Sequence, residues 1–575
     1  MSGSPACGKS SLLAWLVRHG SRTGAATERT VHAVVPVAAR SVAGSVWSLG
    51  EQLGLPAGSA QELAALLARD GRRTVIVLPN VEREPVARLA VLLAGSPGVR
   101  LIVEARTGSP AHRALAGHPA AVLDLDLPQW TDAGSYARWV SADLGGDADS
   151  PGPTGSPSSP GSPGFPGFPV PKGRAEADPA PAGVDLADAH SLCAADPQDV
   201  TALLEVEAEV EGEGEGEGEG EGEARTRHGR LRAAWFRVGP ALVRDIGPVQ
   251  RAVVLLSSFG PVGEPRLRAG LEAVAVGSPW RVNWVLAKGN PVPLWPGPVV
   301  ALAPGGDRSP GAVLALDPAG TIRRLSVAGG APQGRLPASA PAIAVCALSD
   351  GSVLCLHDAG GVGVEAAWSA RTASAGIEAL LNERVPVADA LAAALRGRQG
   401  TALASAPGPD GDVVALGRAT GEVLVVGAVQ GQAPLHEGPV TAVAVAAVPV
   451  GEGGSAVLVY SGGADGTVRL WAPGGEPMDS PYLRRPCAVA AVHAAWTSYG
   501  LLVAVVWSDG LLELCAPASG RVREFHAGRP VRAVCVTPAG DVLLGLDDAL
   551  ICLSLSPVDA DAAPDPDPDP TPATD

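Results

Sequence analysis

The 575-residue sequence predicts a multidomain chain: an α/β domain with a parallel sheet, a small helical module, and an all-β propeller of about six or seven blades. Three observations lead there. Helix-like and strand-like segments alternate over residues 1–144, the pattern of a parallel sheet with crossover helices. Residues 225–279 keep helical spacing and lose the strand-like runs. From 280 to 556, short apolar runs are punctuated by Gly and Asp, and turn glycines at Gly421, Gly466 and Gly510 recur 45 and 44 residues apart, close to the period of a four-stranded blade.

In order along the first domain, residues 10–19 have helical spacing and 30–37 form a short apolar strand. Helices are expected at 44–53 and 60–69, a buried strand at 74–78, a helix at 85–94 and a buried strand at 99–105. A further strand is expected at 121–127, then a helix at 132–144 carrying Tyr136, Trp139 and Val140. Residues 145–183 read as a disordered Pro/Gly/Ser linker, 184–210 as a short helical segment, and 211–224 as a solvated Glu-Gly spacer. The module at 225–279 is expected to be helical or winged-helix-like. The Pro-Asp tail at 557–575 is disordered by composition.

Composition narrows the function classes. The formal net charge of −17 argues against a general nucleic-acid-binding surface, although much of the acidity lies in the low-complexity stretches. Basic residues are almost all arginine, with lysine only at Lys9, Lys172 and Lys288. With the richness in Ala, Gly and Pro, that bias points to a GC-rich bacterial genome of the actinobacterial kind. The eight cysteines form no CxxC pair and no zinc spacing, so they are expected to be small buried hydrophobes in a reducing cytoplasm. No signal peptide opens the chain. The stretch 488–507 has about the length of a membrane span but is interrupted by His493, Thr497, Ser498, Tyr499 and Gly500. Two buried strands joined by a turn, in a cytoplasmic protein without a membrane partner, is the expectation.

The sharpest motif is Gly3-Ser4-Pro5-Ala6-Cys7-Gly8-Lys9-Ser10, which fits GxxxxGK[ST], the Walker A pattern, and runs through Ser11 into an apolar helix. Glycines let such a loop curl so that backbone N–H groups face phosphate oxygens, and the helix presents its positive end to the same anion. Lys9 is then placed to neutralise the β- and γ-phosphates, with Ser10 on Mg²⁺. ATP and Mg²⁺ are the cofactors implied. Only Met1 and Ser2 precede the loop where a strand is expected, so a start further upstream is anticipated. The strand at 74–78 leads to Asn80, where a Walker B element has Asp, and Asn80 is the metal-side candidate there. Glu82 and Glu84 follow, either as metal-side or water-orienting carboxylates or as the acidic first turn of a helix. Arg106, beyond the strand at 99–105, either faces the γ-phosphate or is an exposed arginine at a sheet edge. Glu82 and Arg106 are the catalytic candidates.

On Gly3–Ser10, the strand leading to Asn80 and the LIVEART strand leading to Arg106, the chain resembles the STAND class of signal-transducing P-loop NTPases. The resemblance implies an ATP-binding switch with slow turnover that couples nucleotide state to a repeat domain and to self-association.

The repeat domain is built around turns at Gly320, Gly351, Gly421, Gly466 and Gly510, with a degenerate copy in LLGLDDALICL. A helical insertion is expected at 376–398. The segments HEGPVTAV and SGGADGTVRLW resemble a WD repeat, and a second His, His526, opens the last blade. The resemblance implies that His436, Ser461, Asp465 and Trp471 form a hydrogen-bond network within one blade, which assigns the trio His436, Ser461 and Asp465 to architecture and not to catalysis. A propeller offers a rigid disc for protein partners. Two functions follow: a nucleotide-dependent switch acting on a protein-binding propeller, or a propeller scaffold with a vestigial nucleotide site. No GxSxG or HExxH motif supports a hydrolase.

Overall fold

The computed structural model describes residues 1–5, 7–20, 30–35, 41–127, 184–212, 228–260, 264–288, 295–306, 309, 311–365, 387–408, 410–451 and 454–556. Ala6, the helix expected at 132–144, the linker, most of the Glu-Gly run, the first part of the insertion and the tail lie outside them. The chain divides into two compact units, Met1–Val184 with Asp196–Glu213, and Asp185–Ala195 with Gly214–Asp575.

The first unit is an α/β domain. Its elements are α1 (Lys9–Gly20), β1 (Ala33–Val34), α2 (Val42–Leu53), α3 (Ala60–Asp70), β2 (Thr74–Leu78), α4 (Glu84–Ala94), β3 (Val99–Val103) and α5 (Pro110–Leu115). Further along the chain come α6 (Ala189–Ala194), of the second unit, and α7 (Pro197–Gly212), of the first. Helix boundaries follow from capping: Ser41 and Ser59 accept the amides of Gly44 and Glu62, and Gly54 and Gly71 end α2 and α3 in the left-handed conformation. The apolar TVIVL run makes β2 the buried middle strand of a parallel β1-β2-β3 sheet. Leu13 and Val17 of α1 pack on Val31, Val34 and Val77, which fixes the helix against the sheet.

Residues 1–3 continue this sheet past β3. The Met1 amino group donates to the Val103 carbonyl (2.9 Å), and the Ala105 and Thr107 amides donate to Met1 and Gly3 carbonyls (3.1 and 3.2 Å). On the other side, Ser2 N–H reaches the Leu123 carbonyl and Leu125 N–H reaches that of Ser2, closing a parallel bridge between Ser2 and Asp124. The order is therefore β1, β2, β3, residues 1–3, residues 123–125. The strand expected over 121–127 is reduced to that single bridge.

The second unit holds α6, α8 (Gly229–Leu242), α9 (Pro248–Leu256) and α10 (Pro265–Val274), followed by a six-blade β-propeller. The strand after the helices, β4 (Trp280–Ala287), is a propeller strand and not the wing of a winged helix. Blade I is β5 (Ala301–Pro304), β6 (Ala312–Leu316), β7 (Thr321–Ser326) and β8 (Pro332–Pro337). Blade II is β9 (Ala342–Ala347), β10 (Val353–His357) and β11 (Val362–Glu365). In the described part of the expected insertion, α11 (Val387–Ala394) sets Ala388 and Leu391 against Leu354 and Leu356 of that blade. Blade III is β12 (Ala402–Gly408), β13 (Gly411–Gly417), β14 (Glu422–Gly427) and β15 (Gly431–Pro434). Blade IV is β16 (Val440–Val450), β17 (Gly454–Gly463), β18 (Thr467–Trp471) and β19 (Leu483–Arg484). Blade V is β20 (Val489–Thr497), β21 (Gly500–Trp507), β22 (Leu511–Ala516) and β23 (Arg521–His526). Blade VI joins β24 (Val531–Val536), β25 (Val542–Leu546) and β26 (Ala549–Leu555) to β4, which pairs antiparallel with β26 and closes the disc. The first strands of the blades, β5, β9, β12, β16, β20 and β24, touch one another in a closed ring. The span-length stretch 488–507 is the β20–β21 hairpin of this ring.

A low-aromatic chain fills these blades with small side chains in a repeated way. Glycines on second strands face valines of the next blade: Gly417 meets Val440, Gly462 meets Val489, and Gly545 meets Val299. The turn between second and third strands repeats as well. Gly320, Gly421, Gly466 and Gly510 all have φ between 73° and 86°, and a Cβ at each would face a carbonyl of the following connection, those of Ala340, His436, Arg485 and Arg529. In blade II that place belongs to Gly360, which lies on the Gly400 carbonyl. Gly351 instead sits in the β9–β10 turn, one hairpin early, because the short strands of this blade repeat the same turn chemistry twice.

Candidate functional site

The loop at residues 3–8 leaves the sheet between β3 and residues 123–125 and enters α1. Gly3 (φ 154°) and Gly8 (φ 90°) take conformations that side chains disfavour, and a Cβ at Gly3 would lie 2.5 Å from Cys7 Sγ. The first turn of α1 carries no acidic residue, so the amides and dipole at its start are uncompensated by sequence. Ser4, Pro5, Gly8, Ser10 and Ser11 are exposed, Cys7 is half-buried and Gly3 is buried, so the loop opens to solvent on one side only.

Lys9 is buried, and its ammonium group donates to the carbonyls of Gly3 (2.9 Å) and Ser4 (2.6 Å), with Cys7 Sγ at 3.5 Å. Among the described residues no carboxylate pairs with it. Asp126 acts on this charge through space, without an ion pair, so a cation held mainly by carbonyl dipoles keeps charge to offer an anion.

Two acidic residues that sequence reasoning did not single out complete the site. Asp126 accepts the Ser4 amide (2.9 and 2.7 Å) and the Ser4 hydroxyl (2.7 Å), and these bonds hold its carboxyl below the usual range. Glu104, 2 % exposed, accepts the Ser10 hydroxyl on Oε1 (2.6 Å) and the Asn80 amide on Oε2 (3.2 Å). Its backbone continues the β2–β3 pairing through Leu78 and Val81, so the sheet itself aims the side chain. Asn80 enters by its main-chain N–H, in a left-handed conformation (φ 46°). Glu82 and Arg106 are exposed, and their side chains take no part in these bonds. A readable trace of Glu104 existed: an acid directly after three apolar residues at a strand end, in LIVEA.

Chemically, the loop offers a desolvated cation, a helix start, and two hard oxygen donors, Ser10 Oγ and Glu104 Oε1, side by side. Among the described residues no cluster of three or more His, Cys, Asp or Glu could hold a metal by itself.

The His436 network is in the propeller. Its Nε2 lies 2.9 Å from Ser461 Oγ, and its Nδ1 lies 3.1 Å from Thr467 Oγ1 and 3.2 Å from both Asp465 oxygens. Burial keeps the imidazole pKa below its ordinary value although Asp465 opposes this. Trp471 is outside the network: its indole donates to the Gly475 carbonyl (2.8 Å), and Thr467 takes the fourth place because it directly follows the Asp465-Gly466 turn. Blade VI forms no such network. Its Asp548 pairs with Arg237 of α8 and with Arg529, and His526 Nε2 is buried without a partner. Arg237 also donates to the Ser258 and Lys288 carbonyls, so the helices are pinned where β26 and β4 close the disc.

Comparison with protein-family models and with curated proteins finds no match to this chain.

Proposed function

We propose that the N-terminal unit is an ATP-binding switch of the STAND P-loop type and that the WD-repeat-like propeller is the platform on which it acts, holding a protein partner. The observation that carries the nucleotide reading is Lys9: a buried ammonium inside a glycine-hinged loop, at a helix start, bonded to the Gly3 and Ser4 carbonyls and to Cys7 Sγ, with no ion-paired carboxylate among the described residues. Phosphate oxygens fit that cradle, and Ser10 with its neighbouring carboxylate fits Mg²⁺, which takes few protein oxygens and keeps phosphates and waters. Lys9 and the main-chain amides around Gly3–Ser11, apart from Pro5, which has none, and Ser4, whose amide Asp126 holds, would bind the β- and γ-phosphates, and Ser10 would hold the metal, with Asn80 at its margin. The metal's contribution is to neutralise phosphate charge. Glu82 or Arg106 would reach the γ-phosphate only after the exposed segments that bear them move. Such a site favours binding and slow turnover, the behaviour of a switch, with nucleotide-dependent self-association as a consequence to look for.

The six-blade propeller suggests a protein-interaction scaffold, and among the described residues no helix is long and apolar enough to cross a membrane. A cytoplasmic setting belongs to the same proposal, and it is supported by the eight cysteines, six of which are buried as small apolar side chains. The second reading, a scaffold with a vestigial nucleotide site, is favoured by one observation: Asn80 offers its amide and no carboxylate at the strand end.

Calorimetry with Mg-ATP separates the two. Micromolar binding by the full chain, abolished in Lys9→Ala, is the expected result. No binding by the wild type would leave the scaffold reading alone.

A further inference from the structure

We propose that Glu104 is the metal-side carboxylate of this site, acting with Ser10 in the place that Asn80 leaves without an anionic side chain. This rests on the nucleotide reading and goes beyond it, since it moves the carboxylate from the end of β2 to the end of β3.

Strand order is the first argument. Residues 1–3, the base of the loop, pair directly with the β3 end through Val103, Ala105 and Thr107, whereas β2 lies one strand further away. A side chain from the end of β3 therefore meets the start of α1, and one from β2 has to reach across. Contact is the second: the Ser10 hydroxyl already donates to Glu104 at 2.6 Å. Burial is the third. Glu104 is 2 % exposed and accepts one hydroxyl and one amide; the Met1 ammonium acts on it through space but is bonded to the Val103 carbonyl, and among the described residues no cationic side chain is ion-paired with it. A desolvated carboxylate so served is costly unless a cation completes it. A divalent cation held by Ser10 and Glu104 would do so, matching the one or two carboxylates that Mg²⁺ prefers, and would neutralise phosphate charge there. The Asn80 amide holds Oε2, which turns Oε1 toward the helix start.

The same charge has a second effect. Without a metal, Glu104 faces the phosphates as a like charge and opposes them. The site should therefore reject free ATP and accept Mg-ATP, and Glu104 should be the reason.

The test is calorimetry of ATP with the full chain, in Mg²⁺ and in EDTA, for the wild type, Glu104→Gln, Glu104→Asp and Lys9→Ala. The wild type should bind at least about tenfold more tightly with Mg²⁺. Glu104→Gln should bring the Mg²⁺/EDTA ratio near one, mostly by improved binding in EDTA. Glu104→Asp keeps the charge and shortens the reach, so it should stay weak in EDTA and lose the gain with Mg²⁺. Should Glu104→Gln fail to fold, as judged by circular dichroism, this variant decides. Electron paramagnetic resonance of Mn²⁺ with ATP gives a second readout: bound Mn²⁺ should be lost in Glu104→Gln. ATP binding that needs Lys9 but keeps its full metal dependence in both Glu104 variants overturns the assignment and leaves the nucleotide site standing. No ATP binding by the wild type in either condition overturns both.

Discussion

Acid should loosen the propeller at the seam between blades V and VI, and His493 is the residue through which this can be worked out. It lies on β20, and its Nδ1 accepts the Val536 amide at the end of β24, 3.1 Å away. That bond requires an unprotonated Nδ1, and burial pushes the imidazole from its ordinary 6.5 down to about 4. The folded state thus refuses a proton that the unfolded chain takes up below about pH 6.5, so stability is full above that value and is lost as pH falls toward 4. At about pH 5 the two pKa values correspond to about 2 kcal/mol, and the partial exposure of the residue reduces this to about 1–2 kcal/mol. Urea unfolding of the full chain, followed by tryptophan fluorescence, measures it. Trp507 is fully buried in blade V and reports the region directly. Between about pH 7.5 and about pH 5, His493→Gln should lose about 1–2 kcal/mol less than the wild type, since other acid-sensitive groups are common to both and cancel. Equal losses in the two proteins would refute the reasoning.

Two further predictions concern the propeller and its helices. Gly466→Ala forces a side chain into φ 73° and against the Arg485 carbonyl, and should cost about 2–3 kcal/mol, whereas Gly474→Ala (φ 92°, open space) should cost only about 1 kcal/mol. Similar losses in denaturant unfolding would show that the turn glycines are not pressed on the next connection. Arg237→Met removes the bonds to Asp548, Ser258 and Lys288. Amide exchange in α8 should then speed up by about tenfold to a hundredfold while β13 is unchanged.

The architecture was legible where local chemistry repeats. Alternating apolar runs and turn glycines pointed to a propeller, because five of the six blades repeat the same left-handed glycine turn between second and third strands. They misled in blade II, where Gly351 and Gly360 serve two successive turns of short strands and sequence offers no means to rank them. The closing strand was legible only as an irregular start near Trp280, since its partner β26 lies almost three hundred residues away and no local pattern links them. Trp471 was assigned to the His436 network by resemblance. In the structure Thr467 is nearer to His436, because a residue directly after the turn points back along the strand pair.

The candidate site shows the same division more sharply. Gly3, Gly8, Lys9 and Ser10 were legible because loop and helix start are contiguous in sequence, and contiguity is what lets Lys9 fold back on the Gly3 and Ser4 carbonyls. Metal-side chemistry is not contiguous. It depends on which strand lies beside the loop, and sequence order places 74–78 before 99–105 without saying which of them is the neighbour. Sheet order places β3 beside the loop, and on the proposal made above the weight moves from Asn80 to Glu104. On that proposal an asparagine at the β2 end would not count against a working site, because Ser10 meets Glu104. What remains at Asn80 is a main-chain amide in a left-handed turn, used to hold a carboxylate in position. The loss of Mg-ATP affinity on changing Asn80, read by calorimetry, should accordingly be mild for Asn80→Gly, which keeps both the amide and the positive φ, and larger for Asn80→Pro, which keeps neither.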